Sequence, residues 1–207
     1  MRKLLALLLL ALGVGARAGS TESDLGHGLT YFRVHQLPGD LPTAESVRKQ
    51  TCVLDLRYVS GDFPAATALG AWLKFHASPH TPVFVLANGD TGAELLTALQ
   101  TRGAGVVVIG IAARGFAPDI AVKVSPDVER RAYDALEHGG ALASLLNDTP
   151  DKPRNDEARL AKEHVTDGAL SDEEPAGSKP TTSSPLIDAT LQRAVQLHRS
   201  LMALKKL

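Results

Sequence analysis

The side chains able to do chemistry are few and scattered along this sequence. Thr91 carries a hydroxyl within Asn88-Gly-Asp-Thr-Gly-Ala-Glu94, and a hydroxyl attacks a carbonyl only when a neighbouring base removes its proton. Read by itself, Thr91 three residues before Glu94 is a capping box at the start of a helix. Asp55 and Arg57 close the β-rich run 51–57 as carboxylate and guanidinium, which suits a structural ion pair. His76 and His80 are spaced i, i+4 like helical metal ligands, but Pro79 between them breaks the helix that would align them. No metal site is expected there. Cys52 is the single thiol, so the chain forms no internal disulfide and its core rests on burial alone.

Holding any of these groups in place requires a core, and the apolar pattern supplies one between Leu29 and Leu146. Residues 29–35 alternate apolar and polar, as a half-buried strand does. Residues 63–75 carry Ala65, Ala66, Leu69, Trp72 and Leu73 at helical spacing, and Pro79 and Pro82 end the run. Residues 82–87 and 105–110 are continuous apolar runs, the signature of strands buried on both faces. Between them, residues 91–101 place Ala93, Leu95, Leu96, Ala98 and Leu99 on a helix, and 119–124 predicts a further strand. Alternating strand and helix with short loops predicts parallel βαβ units, hence an α/β core.

Beyond Leu146 the composition changes. Residues 147–185 are rich in Asp, Glu, Lys, Pro, Ser and Thr, and predict a polar, disordered linker with room for a short helix at 156–164. Ser184 and Pro185 then predict the start of a last helix, with Ile187, Leu191, Ala194, Val195 and Leu201 as its apolar stripe over 186–207. At the other end, Arg2 and Lys3 precede the apolar run 4–14 and the small-x-small triplet Ala16-Arg-Ala18. This layout predicts a signal peptide over 1–18, too short to span a bilayer, and so a product exported to the periplasm or secreted. After cleavage the chain is not expected to span a membrane.

Several of these segments, in order, resemble the tail-specific (C-terminal-processing) serine peptidases. Val53-Leu-Asp-Leu-Arg-Tyr-Val-Ser-Gly-Asp62 resembles the family segment in which a strand ends in Asp-Leu-Arg and runs on as Asn-Pro-Gly-Gly. Val83-Phe-Val-Leu-Ala-Asn-Gly-Asp-Thr-Gly-Ala-Glu94 resembles the next unit, where a small-residue turn carries the nucleophilic Ser ahead of a helix beginning with Glu. Ala113-Arg-Gly-Phe116 falls where the family has Thr-Phe-Gly-Lys, and Leu191-Gln-Arg-Ala194 resembles its C-terminal Leu-x-x-Ala helix. The resemblance covers about residues 28 to 135 and implies a ClpP/crotonase-like core over 28–146. The PDZ domain that usually precedes that core has no room between Ala18 and Tyr31.

The resemblance also implies that the chemistry is missing. It puts Thr91 at the nucleophile position and Phe116 at the position of the Lys base, and a phenyl ring has no lone pair for a proton. Arg114 stays protonated and is no substitute, while Lys123 reads as a solvated strand residue. Gly61 and Thr91 still offer backbone N–H groups for a peptide carbonyl, although Asp62 replaces the second family glycine and would repel an oxyanion. The expected function is therefore a non-catalytic, exported protein that binds a peptide or envelope protein partner; the alternative is an active serine-type peptidase with an altered nucleophile and base. No cofactor is implied. With a net charge of −1, 4% aromatics and no basic run, nucleic-acid binding is not expected.

Overall fold

The computed structural model describes residues 21–43, 50–147 and 185–207. The signal-like segment 1–18, linker residues 148–184 with the helix expected at 156–164, and Ser184 lie outside the described residues.

Six strands form one mixed sheet: β1 (Thr21–Asp24), β2 (Thr30–Arg33), β3 (Cys52–Asp55), β4 (Val83–Leu86), β5 (Val106–Gly110) and β6 (Ile120–Ala121). They lie side by side in chain order, β1 antiparallel to β2 and every later pair parallel. The connecting helices are α1 (Phe63–His76), α2 (Ala93–Gln100) and α3 (Pro126–Glu137); α4 (Ala189–Ala203) ends the chain after a short 3₁₀ turn at Leu142–Leu145. The expected α/β class with parallel βαβ units is what the chain adopts.

Each crossover steps in the same direction across the sheet, so connections of one hand deliver α1 and α2 to the same face. Both do pack there. The period of two along a strand then decides what each face receives. Leu54, Val83, Val85, Val106 and Val108 point toward α1 and α2, joined by Leu69, Leu73, Leu95 and Leu99. Their neighbours Tyr31, Val53, Phe84, Leu86 and Ile109 point to the opposite face, where Leu191, Ala194 and Val195 of α4 cover them. The last helix thus docks on its own core.

Four local readings need correction. The final helix is capped by Asp188, whose side chain accepts the Leu191 N–H, rather than opened at Ser184 and Pro185. The N-cap of helix α2 is Gly92, with no side-chain cap hydrogen bond, so Thr91 is not part of a capping box. Its hydroxyl has other partners. Helix α3 was not anticipated: its buried stripe of Glu129, Ala132 and Tyr133 is broken by a charge and gives little apolar signal, although Ser125 and Pro126 mark its start. Asp62, read as an obstacle to an oxyanion, is the N-cap of α1 and accepts the Ala65 N–H at 2.9 Å.

Close packing of β4 against β5 requires a missing side chain at Gly110. A Cβ there would lie 1.8 Å from the Ala87 carbonyl oxygen. Gly110→Ala is therefore expected to cost about 3 kcal/mol or more, as overpacking at backbone does. Gly103→Ala, which meets nothing within 4 Å, should leave stability near that of the parent in the same urea titration.

Candidate functional site

Strands β3 and β4 end at one edge of the sheet, and their C-terminal loops carry the chemistry-bearing residues toward each other. Asn88, just past β4, closes a tight turn: the Thr91 N–H donates to the Asn88 carbonyl at 3.2 Å, and the Asp90 N–H to the Asn88 side-chain oxygen at 3.1 Å. The Thr91 hydroxyl accepts the Asn88 N–H at 3.1 Å and donates to the Leu56 carbonyl at 3.0 Å, which ties this turn to the end of β3. Thr91 is buried, 3% exposed, and a second contact of its Oγ1 is the Asn88 side-chain oxygen at 3.4 Å. Neither an amine nor an imidazole is among its partners.

The remaining residues predicted for the site fall into place around this turn. Gly61 lies against Gly92, since a Cβ on Gly92 would sit 2.9 Å from the Gly61 nitrogen. The two loops therefore meet backbone to backbone, while the Thr91 N–H is already occupied by Asn88. Phe116 follows β5 in a turn in which Ala113 and Phe116 exchange backbone hydrogen bonds of 3.1 and 3.0 Å, with Gly115 at φ +81. Its ring is 7% exposed and belongs to the apolar layer shared with α1 and α2. It is core. Arg114 and Lys123 are exposed. His76 stacks on Trp72 at 4.5 Å between ring centroids, and among the described residues no group of three or more His, Cys, Asp or Glu side chains is arranged to hold a metal ion. Burial pushes the Cys52 thiol up to about 12, so it stays protonated and unreactive near neutrality.

The densest polar cluster lies behind the turn and centres on Arg57, which has no solvent exposure. Its guanidinium meets Asp55 through Nε and Nη2, the latter at 2.6 Å, and Asp188 through Nη1 at 3.0 Å and Nη2 at 2.8 Å. Burial opposes the charge on Arg57, but the Asp188 and Asp55 carboxylates outweigh it and hold the guanidinium firmly protonated. Tyr31 donates to Asp55 at 2.8 Å, and burial followed by the Asp55 charge raises its phenol well above the usual range. Glu129 of α3 extends the cluster: it accepts from Asn88 Nδ2 at 3.0 Å and from the Thr190 hydroxyl at 2.8 Å. Tyr58, held at φ +64, lies edge-on to Tyr133 with 4.8 Å between ring centroids.

Against this geometry the comparisons with known proteins are silent. No family model matches the chain, and no curated protein or solved structure matches it either. The roles assigned to these residues therefore rest on their own chemistry. What the arrangement does is hold a strand-end turn rigidly on a buried ionic layer, with the Thr91 hydroxyl bonded to the Leu56 carbonyl rather than to an amine or imidazole. The expected Asp55–Arg57 pair is present. Asp188, Glu129 and Asn88 complete it, and only Asp188 carried a local signal, as a carboxylate one residue before a helical stripe.

Removing one partner of a buried pair leaves the other charge uncompensated. Asp188→Ala should cost about 3–5 kcal/mol in chemical denaturation and strip hydrogen-exchange protection from α4 before it affects β3 and β4.

A second test uses pH. His198 of α4 contacts the His27 carbonyl through Nε2 at 3.1 Å, and its buried Nδ1 has no partner. Burial lowers its pKa, with the charges on His27 and Arg199 acting in the same direction and the His27 carbonyl opposing them. A depressed folded value means the imidazole contributes stability in full above its unfolded value of about 6.5 and loses it as pH falls through the folded value. Urea midpoints at pH 7 and pH 5 should differ less in His198→Gln than in the parent chain.

Proposed function

We propose that this chain is an exported, degenerate relative of the tail-specific (C-terminal-processing) serine peptidases, with a ClpP/crotonase-like core, that binds an extended peptide or an envelope protein without cleaving it. The observation that carries the reading is the engagement of Thr91. Its hydroxyl proton points to the Leu56 carbonyl, its oxygen takes the Asn88 N–H, and a core phenylalanine takes the place of an amine in the motif. Proton abstraction from such a hydroxyl has no acceptor, and loss of a catalytic base lowers turnover by orders of magnitude.

The motif positions support the family reading. Asp55 ends β3, the Asn88–Thr91 turn follows β4, Gly110 ends β5, and the Ala113–Phe116 turn comes next. Those three strands are adjacent and parallel. Binding has a physical route in the sheet edge. Among the described residues, β1 is a terminal strand paired on one side only, and its side chains are largely exposed. An extended peptide adds to such an edge through main-chain hydrogen bonds. No helix among the described residues is long and apolar enough to cross a membrane.

The purified chain should leave an unfolded protein with an apolar C-terminus intact over a long incubation. Thr91→Ala should behave identically in that assay and lose about 1 kcal/mol of stability with its hydrogen bonds. Cleavage that disappears in Thr91→Ala would establish an active peptidase instead. Fluorescence anisotropy with labelled extended peptides tests the binding half, and a set showing no saturable change counts against it.

A further inference from the structure

On the face of the sheet covered by α3, side chains two apart along the chain from Tyr31 bring Arg33 and His35 into line, with Thr21 directly opposite Arg33 in β1. Together with Ser23, Glu137 and Leu142 they surround a pocket of about 230 Å³. Arg33 is 3% exposed, and its guanidinium stacks over the Tyr133 ring at 3.7 Å. Yet among the described residues neither Nε nor Nη2 of Arg33 finds a hydrogen-bond acceptor. Nη2 does lie 2.8 Å from a Glu137 carboxylate oxygen, so the charges are paired but the donors are not aligned on an acceptor.

Buried donors without acceptors cost free energy, and a guanidinium has five of them. Those on Nε and Nη2 are informative because the two nitrogens form one edge of the planar group, the edge that matches two oxygens of a carboxylate or phosphate. Glu137 is the last residue of α3 and 45% exposed, so it can swing into solvent. His35 sits on the same side, its Nδ1 3.5 Å from Glu137. The pocket is smaller than the roughly 300 Å³ at which drug-sized ligand sites begin, which limits its occupant to a small ion or a single group.

We propose that this pocket binds a small oxyanion, a carboxylate or a phosphate, on the Nε and Nη2 edge of Arg33, with Glu137 as the counter-ion that it displaces. Arg57 presents the same edge to Asp55 elsewhere in this fold, so the pairing is one that the chain already uses. The site lies apart from Thr91 and does not depend on the reading of that residue.

The test is an NMR titration of the full chain with sodium phosphate and, separately, sodium acetate, with sodium chloride matching ionic strength. Saturable shifts are expected in β1, in 30–35 and in 136–142. Glu137→Gln removes the competing carboxylate and should tighten binding about threefold, the scale of an exposed ion pair. Arg33→Lys keeps the charge and loses the fork, and should weaken binding at least tenfold on the scale of charged hydrogen bonds. Saturation by phosphate alone assigns a phosphate ligand, and saturation by acetate assigns a carboxylate-bearing one. The proposal is overturned if neither anion saturates the pocket, if chloride reproduces the shifts, or if Glu137→Gln fails to tighten binding. Should Arg33→Lys not fold, Glu137→Gln decides alone, since it changes a half-exposed side chain.

Discussion

The Arg57 guanidinium, wholly withdrawn from water, is met by carboxylate oxygens on both of its donor edges, and that pairing organises this protein. One carboxylate comes from its own strand end and another from a residue 131 positions away. Asp188 serves twice, because the carboxylate that faces Arg57 also caps the first turn of α4. The helix can therefore neither slide nor rotate without uncovering a charge. Buried ion pairs contribute little net stability against apolar replacements of the same volume, so their value here lies in register. The apolar contacts of Leu191, Ala194 and Val195 supply the burial energy; the ionic contact says where the helix sits.

The same layer explains why the Asn88–Thr91 turn is stiff. Asn88 hydrogen-bonds to Glu129 of α3, Glu129 to Thr190 of α4, and Thr91 to the end of β3. The end of β3 and α3 hold the loop directly, and α4 holds it through Glu129. That convergence immobilises the Thr91 hydroxyl, whose proton is held by the Leu56 carbonyl.

Strands and helices whose signal is apolar and local were legible before any coordinates. The runs at 82–87 and 105–110 read as buried strands because their side chains meet helices on both faces, and Leu69, Trp72 and Leu73 marked α1 in the same way. What escaped was encoded at long range or in polar atoms. Glu129 sits where a buried apolar residue would have announced a helix, and its acceptors are satisfied by residues 41 and 61 positions distant. Thr91 ahead of Glu94 met every local criterion for a cap, yet the Leu56 carbonyl, 35 residues earlier, claims its hydroxyl. Tertiary partners of that sort leave no periodicity in a sequence. Arg33 was hidden for a related reason: on a strand pattern it counts as a polar position facing solvent, whereas α3, itself unforeseen, covers it.

Because α4 covers the middle of one face of the sheet beside α3, the fold is finished only by its final segment. Any product of interrupted synthesis or nicking that stops short of Asp188 would present Val53, Phe84, Leu86 and Ile109 as a bare oily plate beside an Arg57 that keeps Asp55 but has lost its second carboxylate. Such fragments are sticky and charged in the wrong place at once, the condition that quality-control proteases and chaperones recognise. One donor edge of Arg57 is met by its own strand end, and the other waits for a carboxylate from the far part of the chain.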